Sequence, residues 1–177
     1  ALLAWALAVP LSTAANADSW NIEKVGAALA EGPAYAVTAS GQYAYLGAGA
    51  ALAVLAVDQP GSPVVLGRVM LNGPVRDVAV WGGYAYVAVA QGERAGELAI
   101  VDIATDPTSP TVVGTHQLQQ GYGLGVVVVD TLCYVAAYYG LEIVDVSDKQ
   151  QPVLVSAFVS PGSAYKFVSA VAVAQTA

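Results

Sequence analysis

A six-residue apolar run that leads into a proline-bearing turn occurs three times in this chain. Leu52-Ala53-Val54-Leu55-Ala56-Val57 runs on to Pro63, Leu98-Ala99-Ile100-Val101-Asp102-Ile103 to Pro110, and Leu141-Glu142-Ile143-Val144-Asp145-Val146 to Pro152. Upstream of each lies a second shared block: Gly41-Gln42-Tyr43-Ala44-Tyr45-Leu46, Gly82-Gly83-Tyr84-Ala85-Tyr86-Val87 and Asp130-Thr131-Leu132-Cys133-Tyr134-Val135. Tyr45, Tyr86 and Tyr134 hold the same place in these blocks, at intervals in the forties. A period of that length restricts the chain to a stack of like units, either four-stranded blades or helix pairs.

Local periodicity decides between the two. The apolar runs are short, rich in Val, Ile and Tyr, and bounded by Gly, Pro or Asp; none has the 3, 4, 7 spacing of an amphipathic helix. With 18 Gly and 9 Pro the chain is punctuated too often for a helical bundle, and 56% hydrophobic against 11% charged residues excludes a disordered tail. Each unit therefore reads as a meander of strands a to d. The first places them over 35–39, 43–46, 52–57 and 64–71, the second over 76–81, 84–89, 98–103 and 111–118, and the third over 125–129, 132–136, 141–146 and 153–159. The fold class expected is an all-β, propeller-like arc of antiparallel blades.

Leu98-Ala99-Ile100-Val101-Asp102 and Leu141-Glu142-Ile143-Val144-Asp145, each preceded by a Tyr-rich strand and followed by a Ser/Asp/Pro turn, resemble the LVIVD repeat of exported bacterial and archaeal proteins. The resemblance spans about Gly32 to Pro161, and the first copy departs from it with Ala56 where the others carry Asp. It implies a β-propeller at the cell surface and brings no established catalytic residues.

The two ends depart from a complete ring. Residues 1–17 are uncharged, with an apolar stretch followed by Ala15-Asn16-Ala17, the pattern of the end of a secretory signal. Export to the periplasm, cell surface or medium is the expectation. Residues 20–26 resemble a d strand without a blade before it, a candidate latch, and Pro161-Gly162-Ser163-Ala164-Tyr165 opens a fourth unit that loses the pattern by 171–175. The domain reading is a signal remnant (1–17) and a partial propeller (18–177), with repeats at about 32–72, 73–120 and 121–160 and an incomplete one over 161–177. Three blades do not close a ring. A fragment of a longer protein is the simplest account, and a trimer or partner-closed arc the alternative.

The formal charge of −7 disfavours nucleic acid and anionic membranes, both of which attract clustered cations. One cysteine, Cys133, makes no internal disulfide, and its slot, shared with Ala44 and Ala85, is that of a buried inert thiol. Asp102 and Asp145 recur at the end of strand c, where a carboxylate accepts N–H bonds from the following turn; no metal or other cofactor is expected. His116, the only histidine, has no nucleophile at a readable spacing and is read as a surface residue. Gly121-Tyr122-Gly123-Leu124-Gly125 precedes a strand, not a helix, and so offers no dinucleotide loop.

The repeats differ most in their b–c connections. The second carries a five-residue insertion within Gln91-Gly92-Glu93-Arg94-Ala95-Gly96-Glu97, and the third carries Tyr138-Tyr139. In a meander the b–c and d–a connections emerge at one end, so Tyr122 shares a face with Tyr138, Tyr139, Glu93, Arg94 and Glu97. That face is the candidate binding surface of a non-catalytic interaction or adhesion module for a protein or carbohydrate partner. The alternative is an exported propeller hydrolase or lyase with its site in the central channel, where Arg76 and Asp77 are the polar residues of strand a.

Overall fold

Glycine at φ values near +60° ends the first strand of two repeats, at Gly41 and Gly82, and Asp130 adopts the same left-handed conformation in the third. These turns fold each repeat back on itself. In the computed structural model, which describes residues 25, 27–28, 32–92, 94–159 and 168–173, each repeat is one four-stranded antiparallel sheet with its strands in chain order. The first blade holds β1 (Ala34–Ser40), β2 (Tyr43–Ala48), β3 (Ala51–Ala56) and β4 (Val64–Met70). The second holds β5 (Val75–Trp81), β6 (Tyr84–Ala90), β7 (Gly96–Asp102) and β8 (Thr111–Gln117), and the third β9 (Gly123–Val129), β10 (Leu132–Ala137), β11 (Gly140–Asp145) and β12 (Val153–Val159). No helix occurs among the described residues.

The blades stack face to face, and alternation along each strand sends successive side chains to the two neighbours. At the first junction Tyr45, Leu52 and Val54 pack against Val75, Ala85, Val87, Ala99 and Val101. At the second, Tyr86, Leu98 and Ile100 pack against Val126, Cys133, Val135, Val144 and Val146. The middle blade thus buries both faces, which is why β6 and β7 read as unbroken apolar runs. Each Val, Leu or Ile so buried contributes about 1.5–3 kcal/mol. The outer strand β12 is exposed, with Val153, Val155, Phe158 and Val159 all open to solvent, as are Tyr35, Val37 and Met70 of the first blade.

The first strands of the blades, β1, β5 and β9, lie beside one another on the inner side of the arc. Each has a register shift against its partner, between Ala34 and Ala36, between Val75 and Asp77, and opposite Ala136 and Ala137. Tyr35, Arg76 and Leu124 are the extra residues at these bulges, which re-aim side chains locally.

Two strands begin two residues earlier than the sequence suggests. β7 starts at Gly96, within the segment read as an inserted loop, and β9 starts at Gly123. The segment read as a signal (1–17) and all but Val25 of the candidate latch lie outside the described residues, as do 160–167 and 174–177 of the fourth unit and its approach. Residues 168–173 return to the third blade, where the Cα of Ala170 sits 3.2 Å from the position a Cβ would take on Gly125.

Candidate functional site

The b–c turn of the third blade and the d–a connection before it meet at one end of the arc. The N–H of Tyr138 donates to the Tyr122 carbonyl at 3.0 Å, and that of Tyr139 to the Gln120 carbonyl at 2.8 Å. Backbone pairing brings three phenol rings together. Tyr122 and Tyr138 lie with centroids 4.9 Å apart at 31°, and Tyr138 meets Tyr139 edge-on at 4.8 Å and 87°, arrangements that aromatic quadrupoles favour. Tyr139 is 38% exposed, and Tyr122 and Tyr138 are half-buried beside it. The root of the inserted hairpin abuts this cluster, because Gly96 has no side chain: a Cβ there would lie 2.5 Å from the Tyr122 Cα.

A buried carboxylate supports the cluster from below. Glu142, on β11, has no exposed surface and accepts the N–H groups of Gln119 and Gln120, each at 2.7 Å on Oε1. Its Oε2 lies 3.2 Å from Nε2 of His116. A buried charge is tolerated only when its oxygens are satisfied in this way. Glu142 therefore fixes the connection from which Tyr122 projects. This partner also removes His116 from the surface where the sequence reading put it, leaving its side chain 12% exposed.

The other residues of the proposed face are distributed differently. Arg94 is exposed at the hairpin, which is closed by the Gln91 N–H donating to the Ala95 carbonyl, while Glu93 lies outside the described residues. Glu97 is a correction. It is 5% exposed within β7, and Nδ2 of Asn72 donates to its carboxylate oxygens at 3.2 and 3.3 Å, so it anchors the preceding d–a connection and is not part of a loop surface. Sequence reasoning missed Glu142 altogether. The available signal was a Glu in the slot that Ala53 and Ala99 fill in the other strands.

At the inner side of the arc, Arg76 and Asp77 diverge. The Arg76 guanidinium lies 5.0 Å from the centroid of the Tyr35 ring. Asp77 accepts the Val78 N–H and, across the blade junction, the Val126 N–H, both at 2.9 Å. It ties β5 to β9. Asp102 accepts the N–H groups of Ala104 and Thr105 at 3.0 Å and the Thr105 hydroxyl at 2.7 Å, bonds that hold its carboxyl below the usual carboxylate range. Asp145 accepts the Ser147 N–H at 2.8 Å and is lowered chiefly by that bond. Cys133 is buried between the second and third blades, and desolvation pushes its thiol well above the ordinary range, which makes it a poor nucleophile.

Among solved structures, the computationally designed Ika4 protein aligns with 88% of this chain and 89% of its own, at a TM-score of 0.65 and 12% identity. The designed Ika8 protein aligns over 80% of this chain but 40% of its own, at 0.62 and 12% identity. A functionally unknown protein from Desulfotomaculum acetoxidans aligns over 73% of this chain and 44% of its own, at 0.57 and 16% identity. The chain thus spans less than half the length of the latter two. These likenesses are of fold, and the designed neighbours are propeller proteins. A search of curated proteins finds no significant match. The LVIVD repeat profile matches three consecutive stretches, residues 31–71, 72–117 and 120–159, and the chain belongs to the LVIVD-repeat family.

Proposed function

We propose that this LVIVD-repeat propeller module is an exported, non-catalytic interaction or adhesion protein whose Tyr122, Tyr138 and Tyr139 cluster engages a protein or carbohydrate partner. The observation that carries the reading is the braced aromatic cluster. Tyrosines present large amphipathic area with few rotatable bonds, and here their backbones are pinned before a partner arrives, which reduces the entropic cost of binding. Arg94, exposed on the adjoining hairpin, adds a second residue type favoured at binding hot spots. The charge-free Ala/Leu stretch and Ala15-Asn16-Ala17 support export.

The channel reading receives less support, since Asp77 spends both carboxylate oxygens on backbone N–H groups and Arg76 stacks on Tyr35. The test is a glycan array and a pull-down from the producing cell's surface, each run with wild-type protein and with a hairpin shortened by removing Glu93 and Arg94, which leaves three residues between the paired Ala90 and Gly96. Folding should survive, because loop closure changes slowly with length. Weakened capture by the shortened form supports the face; capture retained by it but lost in Arg76→Ala moves the site to the channel.

A further inference from the structure

The two blade junctions are built from the same positions, yet one is open where the other is filled. At the second junction, Lys149 reaches from the c–d turn of the third blade and places its ammonium 5.5 Å from the centroid of the Tyr84 ring, donating to the Val146 carbonyl. Tyr43 is the counterpart of Tyr84 at the first junction: the two begin β2 and β6 and pair with Ala56 and Asp102 at the ends of β3 and β7. The turns correspond too. Asp106 accepts the Thr108 N–H at 2.8 Å, and Asp148 accepts the Gln150 N–H at 2.9 Å, so Pro107 in one and Lys149 in the other hold the same place, directly after the aspartate, in these two capped turns.

Pro107 cannot reach Tyr43 as Lys149 reaches Tyr84. A cleft of about 640 Å³ remains, lined by Tyr43, Tyr45, Trp81, Ile103, Ala104 and Pro107 among others, and none of the described lining residues is charged. Its size suits a small ligand or one side chain. Trp81, 48% exposed, stands where the third blade has Val129, adding an aromatic face that the filled junction lacks. Indole is the best of the aromatic rings for holding a cation. Ile103, whose carbonyl corresponds to that of Val146, also lines the cleft, and Gln42 Nε2 donates to the Tyr43 hydroxyl at 2.9 Å, fixing the ring. The net charge of −7 favours accumulation of cations.

We propose that this cleft, at the end of the blades opposite the tyrosine cluster, binds an alkylammonium group, either a free amine or a lysine side chain, in the place its own repeat fills with Lys149. The molecule itself shows the occupant chemistry: an ammonium over the tyrosine face with a backbone carbonyl as acceptor. The inference is independent of the tyrosine face and stands or falls separately.

The test is an NMR titration, at constant ionic strength, of the full chain with n-butylammonium chloride, with an acetylated and amidated lysine peptide, and with n-butanol as the neutral isostere. Resonances of Tyr43 and Trp81 should move saturably with the two ammonium probes, with a Kd in the millimolar range expected of so few contacts, and at least about tenfold more weakly with butanol. Pro107→Lys should supply the missing cation internally and abolish binding. Because that substitution alters a turn, Tyr43→Leu provides an independent loss, and Lys149→Met should create a second site at Tyr84. A lysine peptide about tenfold tighter than butylammonium identifies a protein-borne lysine as the source, and equal affinities identify a free amine. Equal binding of butanol and butylammonium, undiminished binding in folded Tyr43→Leu, or the absence of saturable shifts overturns the proposal.

Discussion

Glu142 illustrates how a single residue couples the core to the surface. A carboxylate without exposed area has to be compensated fully, and here the compensation comes from two N–H groups of the loop bearing Tyr122 and from His116. Glu142→Ala leaves those donors buried and unpaired, so denaturant unfolding should show a loss of about 1–3 kcal/mol, with a smaller loss for Glu142→Gln. A neutral alanine variant would mean that the loop holds itself. The turn aspartates act in the other direction, through exposed bonds. Thr105 and Ala104 lower Asp102, Thr108 lowers Asp106 and Ser147 lowers Asp145. Groups whose folded pKa is depressed stabilise above the unfolded value of about 3.9 and lose that contribution as pH falls through the lower folded value. The melting temperature should therefore drop below about pH 4, and Asp102→Asn should lower it at neutral pH while flattening its acid dependence. A slope unchanged in Asp102→Asn would remove the residue from this role.

Blade packing is set by glycine on the outer strands. Gly67 on β4 pairs with Val54, and Gly114 on β8 pairs with Ile100; the c–d turn of the next blade presses its backbone carbonyl onto each, at Thr108 and at Lys149. A methyl group at either site meets main chain that cannot swing away. Gly114→Ala should cost about 1–3 kcal/mol by thermal or denaturant unfolding. In the third blade the same register position, opposite Ile143, is Ser156, which is exposed. Ser156→Gly should change stability by less than about 1 kcal/mol. Equal effects at the two sites would refute the packing argument. Meander and register were legible in the sequence because strand alternation and turn glycines are local signals that the repeat states three times over. Side-chain partnerships were not. Glu97 and the insertion were assigned to a loop by charge, but β7 extends back through Gly96 because that glycine lets Tyr122 approach. His116 looked isolated because its partner lies across a blade junction, 26 residues along the chain. Of the candidate face, the convergence of Tyr122, Tyr138 and Tyr139 followed from meander geometry alone, whereas the open cleft at Tyr43 depends on one residue, Pro107, in a turn that strand patterns do not describe.

At the scale of the whole molecule, the arc separates the residues that hold the blades together from those proposed for recognition. Two junction cores and the ties from Asp77 and Glu142 hold three similar blades, and the features that differ between blades collect at the ends, where packing does not constrain them. Such an arrangement lets aromatic residues diverge without loss of the fold. The most direct measurement is the affinity of wild-type protein and of the double variant Tyr138→Ala, Tyr139→Ala for the partner captured on the array or from the cell surface, with circular dichroism melts of both run in parallel. The account predicts unchanged β structure, a melting temperature within a few degrees, and at least about thirtyfold weaker binding, the loss of one hot spot of about 2 kcal/mol. Equal affinity of the two proteins, with the variant fully folded, would contradict it.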